Sequence, residues 1–71
     1  SDQRSEILSR AVFILAYNAY MAAEEKELAM QAKAQFPTRA MLHMSEPIGL
    51  GEGTTVEIDC WYHAQVLLQG R

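Results

Sequence analysis

Cysteine and tryptophan each occur once in the 71 residues, side by side as Cys60 and Trp61. A single thiol excludes an intrachain disulfide, and the two histidines and scattered acids do not fall into a zinc-ligand spacing, so neither common staple of a small domain is encoded. Glycine is confined to Gly49, Gly51, Gly53 and Gly70, and proline to Pro37 and Pro47. Basic residues are few and dispersed. Arg4, Arg10, Lys26, Lys33, Arg39 and Arg71 never place three cations within one helical turn, and the net charge is −3, so no phosphate-binding patch is visible and nucleic acid is a disfavoured partner. The apolar run 11–23 carries Asn18 and two tyrosines. It falls short of the about 20 apolar residues that span a bilayer, and no charged region with a cleavage site flanks it. A soluble chain with no membrane partner is expected, and a lone free thiol suggests a reducing compartment, the cytoplasm.

What is present is hydrophobic: 49% of residues are apolar and 21% charged, the composition of a globular chain rather than a disordered one. At this length one domain, residues 1–71, is the most the chain can form. Its core alone yields only a few kcal/mol, on the order of the margin left after chain entropy is subtracted. Association with another chain is the simplest remaining source of stability.

Residues 3–36 contain neither glycine nor proline and are rich in alanine, leucine, glutamate, lysine, glutamine and methionine. One long helix is predicted there, capped by Ser1 or Asp2 and stopped by Pro37. Such a helix would run about 50 Å, against a diameter near 30 Å for a compact domain of this size, so it either projects or breaks. Glu24, Glu25, Lys26 and Glu27 offer no turn chemistry for a break, which favours a continuous helix. Between residues 7 and 23 only Ser9, Arg10 and Asn18 are plainly polar, so this half is apolar nearly all round and needs cover on more than one side. The second half is amphipathic, with Leu28, Ala29, Ala32 and Phe36 opposed to Glu24, Glu27, Gln31 and Lys33. A coiled coil is excluded because the best heptad register runs into Lys26 and Lys33 at the seam. Ala16, Ala19 and Ala23 still permit close helix–helix approach.

Residues 39–69 read as the β-region. "RAMLHM", residues 39–44, is a short apolar run; "SEP" and "GLGEG" bracket a brief "IGL" segment; and 54–69 form the longest strand. Thr54, Val56, Ile58, Cys60, Tyr62, Ala64, Val66 and Leu68 share one face of that strand, with clean alternation as far as Asp59. Beyond it Trp61, His63 and Leu67 make the other face apolar as well. A competing reading turns residues 59–69 into a terminal helix stopped by Gly70. The fold class expected is α+β: a long N-terminal helix packed on a small antiparallel sheet of about three strands.

Three constellations bear on function. Cys60 and His63 form a C-x-x-H pair with Glu57, Asp59 and His43 as further ligands or bases, but on a strand residues 60 and 63 point to opposite faces and a closed zinc site needs four ligands. A Cys–His nucleophile would require His43 on a strand paired beside Cys60, and no oxyanion or nucleophile-elbow motif accompanies it. "GLGEG" lacks the Lys-Ser/Thr of a phosphate loop and precedes no helix. No metal, cofactor or catalytic residue is therefore assigned. Tyrosine and tryptophan are instead the side chains favoured at interface hot spots. The reading that results is a small non-enzymatic protein–protein interaction protein, a regulator, inhibitor or accessory subunit acting as a homodimer. Trp61, Tyr62, His63, Tyr17 and Tyr20 form its contact surface and Glu24, Glu25 and Glu27 an acidic rim. The alternatives are a small-molecule-binding or Cys/His-based catalytic domain, with Cys60, His43 and His63 in a helix–sheet pocket, and a dimeric DNA-binding regulator.

Overall fold

The structure is a computed structural model and describes residues 2–59 and 63–71. It is a small α+β fold in which a long N-terminal helix, α1 (Gln3–Ala22), is followed by α2 (Lys26–Lys33), α3 (Arg39–Met44) and a 3₁₀ turn (Glu46–Ile48). The strands β1 (Thr55–Asp59) and β2 (His63–Leu67) then form a two-stranded antiparallel sheet.

Helix α1 begins where Asp2, extended at ψ 169°, accepts a 2.7 Å hydrogen bond at its carboxylate from the Ser5 amide. This cap satisfies one of the amides that a helix start leaves open and holds the Asp2 carboxyl below its ordinary range. The expected continuous helix over 3–36 is broken. Ala23, Glu24 and Glu25 turn the chain through a Schellman-type cap, in which the Glu25 amide donates to the Tyr20 carbonyl at 2.8 Å and the Glu24 amide to Met21 at 3.1 Å. Glu24 takes the left-handed conformation at φ 59°, a position usually held by glycine. Physically, the break resolves the length problem: α1 alone is about 30 Å long, within the 35 Å longest extent of the molecule.

The apolar segment 39–44 forms α3 rather than a strand. Thr38 caps it, its Oγ1 accepting from the Met41 amide at 3.1 Å, and Leu42 and Ser45 turn inward at helical spacing. Alanine, methionine and leucine are strong helix formers, and the segment has no β-branched residue to oppose them. "IGL" likewise belongs to no strand: Ile48 closes the 3₁₀ turn and Gly49, left-handed at φ 81°, ends it. The glycine run therefore carries the chain from α3 into β1 and is not a turn between strands. The long strand expected over 54–69 is two, in register Thr55↔Leu67, Val56↔Val66, Glu57↔Gln65, Ile58↔Ala64 and Asp59↔His63. Residues 63–67 are thus strand, not the terminal helix of the competing reading, and the sheet has two strands rather than about three.

The core forms where Ile7, Ala11 and Ile14, one turn apart along α1, meet Ile58, Val66 and Leu68 from the hairpin. Phe36 and Leu42 close it from the other end, both fully buried. The even positions of the hairpin do face inward, whereas the odd ones, including Leu67, are exposed. A pair of backbone bonds after β2 ties the end of the described chain to the α2–α3 connection: the Arg71 amide donates to Pro37 at 3.1 Å and Arg39 donates to the Arg71 carbonyl at 3.4 Å.

Two expected outcomes follow from these caps. Glu24→Gly removes the steric cost of the left-handed turn and should raise the unfolding free energy by up to about 1 kcal/mol in a urea titration, whereas Glu24→Val should lower it by about 1–2 kcal/mol. Because folding depresses the Asp2 carboxyl, its contribution is present above the ordinary value of 3.8 and is lost as pH falls through and below it. The protection factor of the Ser5 amide, its exchange relative to the intrinsic rate at each pH, should fall over that acidic range in the native protein. In Asp2→Asn, which keeps the cap without a titrating group, this component should vanish.

Candidate functional site

At 100° per residue, α1 divides into three apolar flanks. Ile7, Ala11 and Ile14 face the core. Phe13, Ala16 and Tyr20 lie on the side toward α2, and Leu8 and Val12 on the side toward β1. The helix is apolar nearly all round because each flank has an apolar neighbour, and the two outer flanks are only partly covered.

On the α2 side a groove of about 390 Å³ runs between the helices, lined by Phe13, Ala16 and Tyr20 from α1 and by Leu28, Gln31, Ala32 and Gln35 from α2 and its end. α2 contributes to the core chiefly through Ala29 and Ala32. Leu28, expected on the buried face, stays 40% exposed beside Phe13 at 39%. The alanines let the two helices approach while their larger neighbours splay outward, leaving an apolar rim with few polar atoms. Toward the start of α1 the surface continues past Arg10, whose Nη1 donates to the Gln35 carbonyl at 3.4 Å and whose Nε lies 3.5 Å from Glu6.

The tyrosines of the expected contact surface have different surroundings. Tyr17 is half-buried and packs edge-on against Phe36, centroids 5.4 Å apart at 81°, as part of the core margin. Tyr20 is half-buried in the α1–α2 groove. Glu24 and Glu25 are exposed at the turn between the helices and Glu27 in the first turn of α2, at one end of that groove. His63 lies on the solvent side of the hairpin, with Nδ1 3.4 Å from Asp59 and 3.9 Å from Glu57. Trp61, Tyr62 and Cys60 lie outside the described residues. Phe13 and Leu28 were not among the contact residues expected from sequence. Their spacing relative to Tyr20 and Ala32 is the ordinary pattern of buried helix positions, and no signal in sequence distinguishes an open groove from a filled one.

His43 sits on α3, exposed and 3.7 Å from Glu46, so the strand pairing that would have brought it beside Cys60 does not exist. Among the described residues, no group of three or more histidine, cysteine, aspartate or glutamate side chains is arranged to hold a metal ion, and no helix is long and apolar enough to cross a membrane. No family model, curated protein or solved structure matches the chain.

The different settings of the two tyrosines predict different consequences of truncation. Tyr17→Ala removes an aromatic contact to Phe36 and opens the core margin, and should cost about 2–3 kcal/mol in denaturant unfolding. Tyr20→Ala should cost less than about 1 kcal/mol of protomer stability, since its ring borders an open groove. Equal losses at the two positions would mean that Tyr20 is a core residue.

Proposed function

We propose that the chain is a small non-enzymatic protein–protein interaction protein that acts as a homodimer, in the manner of a regulator, inhibitor or accessory subunit. The observation that carries this reading is the uncovered groove between α1 and α2, where Phe13, Tyr20 and Leu28 hold apolar surface in water around small alanines. A patch of this kind, shared by two helices and rimmed by Glu6, Arg10 and the acids of the α1–α2 turn, has the anatomy of an interface: aromatic and aliphatic side chains at the centre and charges outside.

A two-fold axis across the groove would set α1 and α2 of one protomer against the same helices of its partner, each burying the other's excess. A standard interface takes about 800 Å² from each partner, about a sixth of the 4851 Å² this protomer exposes. Small domains commonly gain through such burial what a core of this size cannot supply alone. The lone thiol fits a reducing compartment, and we place the dimer in the cytoplasm. Trp61, Tyr62 and His63 are further contact residues in this reading, with Glu24, Glu25 and Glu27 as the acidic rim.

Light scattering on a sizing column over a wide concentration range tests the dimer. The expected mass is twice the 8.0 kDa of the chain. Phe13→Glu and Leu28→Glu, both at half-exposed positions, should shift it to the monomer while far-ultraviolet circular dichroism stays unchanged. A wild-type mass of one chain at every concentration overturns the homodimer, and a dimer indifferent to both substitutions moves it off this groove.

A further inference from the structure

We infer that the free edge of β1 is an acceptor site for an extended peptide segment that alternates basic and aliphatic residues, added as a third strand over the outer flank of α1. Three observations meet at this edge. First, the ladder leaves the right backbone groups open. The Leu68 amide donates to the Thr54 carbonyl at 2.8 Å, which fixes the phase of the pairing. Val56 and Ile58 then turn their amides and carbonyls toward β2, and Thr55, Glu57 and Asp59 turn theirs outward. By this phase the β1–β2 ladder does not use the amides of Thr55, Glu57 and Asp59.

Second, a floor for the added strand already exists. α1 runs out beneath the β1 edge, and Arg4, Leu8, Ser9 and Val12 together with Glu57, Ile58 and Asp59 enclose a groove of about 440 Å³. Val12 is 37% exposed there. A neighbouring strand lies about 4.8 Å away, and its residues opposite Val56 and Ile58 would point down onto Leu8 and Val12, as Ile58 and Val66 already do onto the core flank of the helix. Aliphatic side chains suit those positions.

Third, the outer face sets the charge. Residues of the added strand opposite Glu57 and Asp59 would share the solvent face with two exposed carboxylates, which favours lysine or arginine. His63, 3.4 Å from Asp59, flanks the pair on the β2 side and leaves the β1 side open to the newcomer. Arg4, the single cation among the seven lining residues, lies at the N-terminal end of α1 and among the described residues forms no ion pair with Glu57 or Asp59. The same carboxylates disfavour a second copy of this chain as occupant. An antiparallel β1–β1 pairing that uses all five residues sets Glu57 opposite Glu57. Strand addition combines main-chain hydrogen bonds for affinity with alternate side chains for selectivity. It uses a different surface from the α1–α2 groove, so either idea survives failure of the other.

The test uses three synthetic six-residue peptides, acetylated and amidated: alternating Lys-Val, alternating Glu-Val, and Lys-Val methylated on the backbone nitrogen of every lysine. Binding to the full chain is read by amide chemical shifts and hydrogen exchange, in the wild type and in the Phe13→Glu variant so that groove-mediated association is separated out. The Lys-Val peptide should protect the amides of Thr55, Glu57 and Asp59. It should bind about tenfold or more tightly than either control, since each lost strand bond or like-charge pair acts on the same five residues. Its affinity should fall with added salt. Glu57→Lys with Asp59→Lys, both at exposed positions, should reverse the preference in favour of Glu-Val. Equal affinity for the methylated peptide, binding without protection of β1 amides, or no binding at all would overturn the proposal. So would concentration-dependent protection of those amides without peptide, which would give the edge to a second copy.

Discussion

Everything in this fold depends on covering α1. Its twenty residues carry apolar side chains on every flank, and a helix of that kind is stable in water only against neighbours on several sides. The remaining chain supplies them unevenly. The five-residue strands, with Phe36 and Leu42, cover one flank completely: Ile7, Ala11 and Ile14 have no exposed surface. The eight residues of α2 cover part of a second flank. Among the described residues the third is bordered by the edge of β1. The surplus is arithmetic rather than accident, since a chain of this size spends most of its length enclosing a single seam.

That shortage also explains where the chain turns. A helix of thirty-four residues would have carried Phe36 far from Ile14; the turn at Ala23–Glu25 folds α2 back along α1 and returns Phe36 to the core, where Tyr17 meets it edge-on. The energy recovered by burying that ring exceeds the about 1 kcal/mol cost of a non-glycine residue in the left-handed region. Tertiary packing therefore decides a boundary that local propensity opposes.

The parts of the fold legible in sequence were those that local periodicity decides. The alternation of Val56, Ile58, Ala64, Val66 and Leu68 identifies the inward face of the hairpin, and the helical character of α1 follows from composition. The break at Glu24 was not legible, because glutamate at a C′ position has no signal of its own and glycine, the usual marker, is absent. For residues 39–44 the signal existed and a short apolar run outweighed it: Thr38 before "RAMLHM" is an N-cap ahead of good helix formers. Of the interaction surface, Tyr20 falls in the groove and Tyr17 on the margin of the core. A tyrosine's neighbours across α1 depend on where α2 folds back, which lay hidden in the same unmarked turn.

The two uncovered flanks offer different kinds of recognition. Between α1 and α2 the exposed groups are side chains, with the backbone satisfied inside the helices, so an occupant can be selected only by shape and apolar contact. A second copy with the same surplus is a natural match. Along β1 the exposed groups include the backbone itself. An amide in a half-covered groove gains from a partner that brings carbonyls at strand spacing, and helices cannot do so because theirs are already engaged. In the proposed reading, Glu57 and Asp59 keep the edge from pairing with its own copy while leaving it attractive to a cationic strand, much as charges on natural edge strands guard against indiscriminate pairing. In the proposed reading, one face of a small scaffold takes a second copy and the other is protected from it. That is the arrangement a dimeric adaptor requires if partner binding is not to compete with its own assembly.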